Sequence, residues 1–587
     1  ELSVEDAYEH MTFLVEEVGE RLAGTESIEK AANYIRDELE RCGLEARVDR
    51  FPIFQSYPGS AELRVTSPEE RTIEALPSCH IPPTAEEGMA GELVYVGAGG
   101  YGDYDGLEVQ GKIVLADMTW APPRPEKARI AVEQGAKAVI ILNWGTADNP
   151  TIQRGAIKGV WGNPTPESFK RIPQIPVINI TKAAGEYLKD LCARGPVEVW
   201  FRADASQEWV LANQPVGLLR AEKDTEEFIL VGSHLEGWGK TAICNSSGNA
   251  LSLELARVLA KHRDRLSRNV LFTYWDGHEI AEAAGSTYFV DSNWDALARH
   301  CVAYVDIDNP GIIGTSVPNS RSAPEIKGFL LQVVDEVWGN EGIWKMPYKG
   351  GDQSFFGVGV PYISFATGYT QEELERLNWA FLSPWLHTEA DTLDKVDKDL
   401  YDKHLDFFGT LVLRLCHTER VPYDLSNSVA MLKSQLEALR ELAADAEAID
   451  LEGLIECAGR LEMAVIELWQ NQPSDEAPHR VDAVRIINEA STKASRELSF
   501  LWTEADKYDQ DPYGYWLIGK PIPRLYVPIT RLVELEPGSQ EFNLWMTKFI
   551  RERNRVSDAI SKARDSLAWA TLFLKECTQG TEAQRGL

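Results

Sequence analysis

The chain has 587 residues and a mass of 65.6 kDa, more than one hydrophobic core usually organises, so several domains are expected. Its formal charge of -32, from 91 acidic against 59 basic residues, repels phosphate backbones and anionic lipid, which excludes nucleic acid and the membrane as partners. No run approaches the roughly 20 apolar residues of a membrane span, and the acidic start ELSVEDAYEHMTFLVEE lacks the basic-then-apolar order of a secretory leader. The eight cysteines, at 42, 79, 192, 244, 301, 416, 457 and 577, show no CxxC spacing and read as free thiols of a reducing cytoplasm. A start at Glu1 is also compatible with a leader already removed.

Two helical patterns open the chain, the first through Ala7, Met11, Leu14 and Val15 and the second over 27–42, stopped by Gly43. An alternating run over 45–54 predicts a strand. From Gly91 come the short strands GELVYVG and GKIVLADM, a helix over 125–134, the apolar strand AVIILNW and the strand IPVINI, a small α/β or β-rich unit. Residues 226–416 return to strand-then-helix alternation (EEFILVGSH, a helix over 247–262, NVLFTYW, HCVAYVDID, a helix near 324–338, VPYISFAT). This pattern predicts an α/β fold, a mostly parallel sheet flanked by helices with its functional groups at the carboxyl ends of strands. Beyond Pro422 Gly becomes scarce and long amphipathic patterns predict a C-terminal helical bundle, interrupted by the Pro-rich loop YDQDPYGYWLIGKPIPRLYVP.

Candidate metal ligands sit where those strands end. His234 and Glu236 follow ILVGS, Cys244 and Asn245 precede a Ser/Gly turn and a helix, His278 and Glu279 follow LFTYWDG, Asp306 and Asp308 end VAYVDID, and His387 lies in the loop SPWLHTEADTLDKVD. Imidazole and carboxylate suit zinc and related divalent ions, and strand-end loops can converge them on one point. A lone His or Asp of this kind is commonly just a hydrogen-bonded or capping residue; it is the combination that points to chemistry. The Gly-rich stretches lack a Rossmann or P-loop context, and Ser246 and Ser247 lack a GxSxG elbow.

These motifs follow the order and approximate spacing of the M28 family of metallopeptidases, which the chain resembles. HLE at 234–236 matches a His two residues before an Asp, CNSSG at 244–248 a bridging Asp followed by Asn-x-Ser-Gly, and HE at 278–279 a Glu-Glu pair. DID at 306–308 and LHTEADTLDKVD supply the later Asp and His. The resemblance implies a zinc exopeptidase-like domain over 1–75 and 205–420 and a protease-associated insert over 76–204 that acts as a lid. The helical region 421–587 resembles the dimerisation domain of transferrin-receptor and glutamate-carboxypeptidase-like chains, which implies a homodimer.

Carried over position by position, the resemblance makes His234, Glu279, Asp308 and His387 metal ligands, and two departures alter the centre. Cys244 stands where the bridging carboxylate belongs, and His278 where the general-base Glu belongs. Both positions strike the reacting core. A thiolate ligates zinc, but losing the Asp disfavours a second hard-ligand ion, so one ion rather than two is expected, with zinc ahead of iron or manganese. His278 is then a base or an added ligand, and Cys244 a ligand or a nucleophile. Asp352, Trp238, Glu236 and Asp306 are expected on the substrate side. The resulting expectation is a metal-dependent hydrolase of an amide or related C–N bond in a small molecule or short peptide. The alternatives are a lyase or other hydrolysis on the same scaffold and an inactive transferrin-receptor-like binding protein.

Overall fold

The chain enters through two helices, Val4–Thr12 and Glu26–Arg41, whose first turns are capped by the Ser3 and Thr25 hydroxyls accepting from Asp6 N and Ile28 N. Gly43, at φ +83°, takes the left-handed turn that ends the second helix. This is a computed structural model, and it describes residues 1–444, 446–474, 480–503, 507–510 and 519–585.

Among the described residues fourteen strands follow: β1 (Glu45–Ser67), β2 (Arg71–Ile73), β3 (Ala75–Pro77), β4 (Met89–Tyr95), β5 (Ile113–Asp117), β6 (Ala138–Leu142), β7 (Val177–Ile180), β8 (Val197–Leu219), β9 (Phe228–His234), β10 (Asn269–Trp275), β11 (Cys301–Asp306), β12 (Val317–Ser322), β13 (Ile343–Lys345) and β14 (Tyr362–Gly368). They connect in the order β13-β12-β14-β11-β9-β10-β8-β4-β5-β6-β7-β3, with β1 paired along β8. The central strands β14, β11, β9 and β10 are parallel, and β12 and β8 flank them antiparallel. The strand expected over 45–54 continues to Ser67 because β8 offers it a partner throughout, from Glu45 opposite Leu218 to Ser67 opposite Glu198. That ribbon carries the chain from the parallel sheet, which β8 joins at 216–219, to the smaller sheet, which it joins at 197–201.

Each sheet has its own core. Residues such as Ile229, Val231, Val270 and Val305, fully enclosed, pack beneath the helices Gly248–Lys261 and Lys398–His417. Ile113–Ala116 and Ala138–Leu142 form the core of the small unit. A third core joins the helices Leu425–Leu442, Glu452–Gln470, Arg480–Ser499, Pro523–Glu534 and Gln540–Arg585. Residues 511–518 of the Pro-rich loop lie outside the described residues, as does the Cys577 side chain; the other seven cysteines are free thiols. Among the described residues no helix is long and apolar enough to cross a membrane.

Candidate metal centre

Parallel strands bring their carboxyl ends to one edge, and β9, β10 and β11 deliver His234, the His278–Glu279 turn and Asp308 there together. The 242–247 turn that starts the helix Gly248–Lys261 adds Cys244. His387 arrives from the loop after β14 in a left-handed backbone conformation, φ +58°. Cys244 is the hub. Its Sγ lies 3.5 Å from His234 Nε2, 3.3 Å from Glu279 Oε1 and 3.5 Å from His387 Nε2. Asp308 Oδ1 stands 3.3 Å from His234 Nε2, and Glu279 Oε1 stands 3.1 Å from His387 Nε2. Two triads of donors result, His234–Cys244–Asp308 and Cys244–Glu279–His387, and they share only the sulfur.

Those separations test the fit to a metal ion. With Zn–S near 2.3 Å and Zn–N or Zn–O near 2.0–2.2 Å, the edges of a coordination tetrahedron are about 3.5 Å for S–N or S–O and about 3.4 Å for N–O. The sulfur edges found here, 3.5, 3.3 and 3.5 Å, and the N–O edges, 3.3 and 3.1 Å, lie close to both. The donors are also primed by their surroundings. His234 Nδ1 hydrogen bonds to Glu236 O at 2.8 Å, which leaves Nε2 free as a lone pair. Asp391 accepts from Ile243 N at 2.9 Å and Cys244 N at 3.1 Å and so orients the thiol; burial raises its own pKa to about 6. Without a cation, burial and the carboxylates of Glu279, Asp308 and Asp391 push the Cys244 thiol well above its usual range. Burial would also raise Glu279, but His387, His278 and His234 together hold it well below the carboxylate range. A divalent ion reverses the cost at sulfur, because a coordinating thiol loses its proton. The residues fit the group.

His278 lies beside this centre. Its ring stacks on His234 with centroids 4.0 Å apart and planes 11° apart, and its Nδ1 is 3.0 Å from Asp352 Oδ2. Burial disfavours the imidazolium, yet Asp352, Glu279 and Asp308 together raise its pKa well above the usual value. His234, His278 and Glu279 also make a third grouping of possible donors.

A cavity of about 510 Å³ opens over the centre, lined by Cys244, His278, Glu279, Asp308 and His387. The insert covers it. Trp120 packs edge-on against Tyr348 at 5.8 Å, Arg154 N donates to His387 O at 3.0 Å, and Trp161 Nε1 donates to Ser354 Oγ at 2.9 Å.

Of the residues expected on the substrate side, Asp306 lines the cavity. Its carboxyl accepts from Tyr304 OH at 3.0 Å and Tyr362 OH at 2.7 Å, and burial raises its pKa to about 8. Asp352 lies behind the wall, 1% exposed, and meets His278 rather than the open space. Trp238 is buried under the Arg154 guanidinium, 6.0 Å from its ring. Glu236 is fully enclosed, accepting from Ala23 N, Gln55 Nε2, Glu279 N and Ile280 N. Neither Trp238 nor Glu236 lines the cavity, and the segment that carries them pairs instead with Arg21 through Gly237.

Sequence reasoning passed over Asp391 and Glu282. Asp391 was visible four residues after His387. Glu282 lines the cavity, with burial raising its pKa to about 8, and nothing in its spacing marked it.

The model of peptidase family M28 matches residues 216–412, and that of the PA domain matches residues 89–188. The probable glutamate carboxypeptidase VP8 of Zea mays is 24% identical over 521 residues, 77% of this chain and 72% of that one. Aminopeptidase YwaD of Bacillus subtilis is 25% identical over 448 residues, covering 73% and 89%. Human transferrin receptor protein 2 is 23% identical over 312 residues, covering 47% and 38%. In fold, the chain is similar to the zinc aminopeptidase BSAP from Bacillus subtilis, with a TM-score of 0.56 over 71% of this chain and 96% of that one at 22% identity. Residues 216–412 thus match the M28 peptidase family and the preceding residues 89–188 the PA domain, and the proteins the chain is similar to include aminopeptidases and glutamate-carboxypeptidase-like proteins.

Proposed function

We propose that the protein is a metal-dependent hydrolase that cleaves an amide of a short peptide or small molecule at the Cys244 centre. The observation that carries this reading is the pair of donor triads at coordination-edge distances, facing a covered cavity. A divalent ion there supplies Lewis acidity to a carbonyl and makes water a stronger acid. Zinc suits the mixed thiolate, imidazole and carboxylate set. The expectation of one ion rested on losing a bridging carboxylate. The sharing of one sulfur by two triads favours two ions: His234 and Asp308 would hold one and Glu279 and His387 the other, with Cys244 within reach of both sets.

The chain's own groups supply the proton chemistry. Asp352 Oδ2, 3.0 Å from His278 Nδ1, would keep the proton on that nitrogen, and Nε2 would then be the acceptor that takes a proton from water and returns it to the leaving amine. Bound cations counter the pull of Glu279 and Asp308 on the imidazole and favour its neutral form. The third grouping, His234–His278–Glu279, supports His278 as an added ligand instead. In this reading residues 1–75 and 205–420 form the catalytic domain, 76–204 the lid and 421–587 a dimerisation domain, an arrangement that suits a small substrate.

Metal analysis with dipeptide hydrolysis assays tests the proposal. Bound ions lost in both His234→Ala and His387→Ala, together with chelator-sensitive amide cleavage, are expected. A His278→Ala protein that keeps its metal but not its activity marks a base, and one that loses metal marks a ligand. Full activity of metal-free protein would refute the reading.

A further inference from the structure

The backbone groups of the turn that carries Glu279 divide between two partners. Its N–H groups go to the catalytic side, Glu279 N and Ile280 N donating to Glu236 Oε2 at 2.9 and 3.3 Å. Its next three carbonyls go to the insert. His80 Nε2 donates to Ile280 O at 3.0 Å, Lys158 Nζ to Ala281 O at 2.5 Å, and Gly162 N to Glu282 O at 2.7 Å. His80 and Lys158 are both 0% exposed, so water does not stand in for them. Lys158 Nζ is itself fixed by Gly162 O, also at 2.5 Å. Gly162 has φ +69°, and a Cβ there would stand 2.4 Å from Thr287 Cγ2, so the absence of a side chain lets its N–H approach the turn.

The loop that carries His387 is held in the same way. Asn149 Nδ2 donates to Pro384 O at 2.8 Å, Gln153 Nε2 to Leu386 O at 3.3 Å, and Arg154 N to His387 O at 3.0 Å. Both segments need such holding. Glu282, Ala283 and His387 sit at φ +52°, +58° and +58°, a left-handed conformation that residues with a Cβ keep only where their surroundings enforce it. Insert N–H groups reach two of these three, Glu282 and His387, at the carbonyl itself.

The other half of the centre is held from within its own domain. His234 ends β9 between β10 and β11. Thr241 and Asn309 are also left-handed, at φ +52° and +57°, but Arg21 Nη2 donates to Thr241 Oγ1 at 2.6 Å, and Asn245 Oδ1 accepts from Asn309 N at 3.3 Å. Asn245 Nδ2 adds a bond to Ile307 O at 2.9 Å. On this side the insert packs Cys79, Ala156 and the Arg154 guanidinium against Trp238, four residues beyond His234, and packing of that kind fixes no backbone group. The division matches the donor sets, since Glu279 and His387 complete one triad with Cys244, and His234 and Asp308 complete the other.

We propose that the insert is a working part of the metal centre as well as its cover: Lys158, His80 and Gln153 are positioning residues that hold Glu279 and His387, and so one of the two ion positions, while the catalytic domain sets the His234–Asp308 position by itself. This rests on the reading of the Cys244 centre as a metal site with two positions. Ligands fixed before the ion arrives lose less freedom on binding it. Removing one partner of a buried polar pair changes an equilibrium by about fivefold to roughly a hundredfold.

Two measurements on the full-length chain test this, for wild type, Lys158→Met, Gln153→Met and the double variant, with melting temperature checking the fold of each. Methionine keeps an unbranched apolar stem and removes the donor. In metal-free protein, hydrogen exchange should quicken over 279–284 in Lys158→Met and over 384–388 in Gln153→Met, and stay as in wild type over 241–247 and 306–309. Calorimetric zinc titration should then show, in each single variant, one position weakened about tenfold or more and the other within about threefold of wild type. The double variant should still bind one ion with wild-type affinity, because both substitutions act on the same position. Gln153→Met carries the test by itself if Lys158→Met fails to fold. Both positions weakened in parallel, neither weakened, or both ions lost from the double variant overturns the proposal and leaves the metal-site reading standing. Exchange that does not quicken over either ligand segment overturns the positioning role whatever the metal content. Wild type that takes up fewer than two zinc ions refutes instead the two-position reading on which the proposal rests.

Discussion

Replacing Glu236 with Leu should unfasten the metal centre from below. The carboxylate is 0% exposed and accepts from Ala23 N at 3.1 Å, Gln55 Nε2 at 2.7 Å, Glu279 N at 2.9 Å and Ile280 N at 3.3 Å. Leu fills nearly the same volume but accepts nothing, so buried donors on three segments lose their partner at once. Each unsatisfied buried donor costs about 1–3 kcal/mol. Relief from burying a carboxyl, whose pKa burial raises, offsets part of this. A net loss of about 4 kcal/mol is expected, which for a domain of this size lowers the melting temperature by roughly 7 °C. Glu236→Gln keeps one acceptor oxygen and should fall between. The amide of Glu279 is one of the released donors, so metal content should fall with stability. Differential scanning calorimetry and metal analysis of the three proteins read both effects. A Glu236→Leu protein melting within 2 °C of wild type with its metal intact would refute the view that this carboxylate supports the ligand turn.

Zinc uptake by apo protein in weak buffer should release one proton more from wild type than from Cys244→Ala, because the thiol is held protonated until an ion arrives; equal release would contradict thiolate ligation. Asp352→Asn should cut kcat by about a hundredfold, within the span of general acid–base effects, with metal content unchanged. It should also shift the pH–rate profile, since His278 loses the carboxylate 3.0 Å from its Nδ1; an unaltered profile would count against the pairing. Lys127 is 1% exposed, donates to Thr119 Oγ1 at 2.7 Å and to Ala98 O, and has its pKa lowered by burial to about 7. Between pH 7 and about 10 the unfolded chain binds the extra proton, so stability rises with pH there. The melting-temperature advantage of wild type over Lys127→Met should therefore grow from pH 7.5 to 9.5. A constant difference would show that Lys127 titrates alike in both states.

Much of the architecture follows from local pattern. Apolar runs ending in His234, Trp275 and Asp306 become adjacent parallel strands, because a run buried on both faces between helices has few other homes. The strand ends and the motifs that resemble the M28 pattern point to the same residues that the fold groups into the two triads. Local pattern also places the helices and the insert. It underestimated β1, whose length depends on β8, more than a hundred residues away.

What a carboxylate does once it reaches the site was decided in three dimensions. Glu236 sits two residues from a ligand and Asp352 follows a Gly pair, and both looked open to substrate. Contacts with Ala23, Gln55 and the 279–280 backbone make the first a buried support, and the approach of His278 makes the second an orienting partner. The sequence by itself determined where the apolar strands end, since that needs only periodicity, and its resemblance to the M28 motifs marked the donors near those ends. Only the tertiary structure decided which polar groups are satisfied and which still face the cavity, since burial and hydrogen bonding depend on segments far apart in the chain.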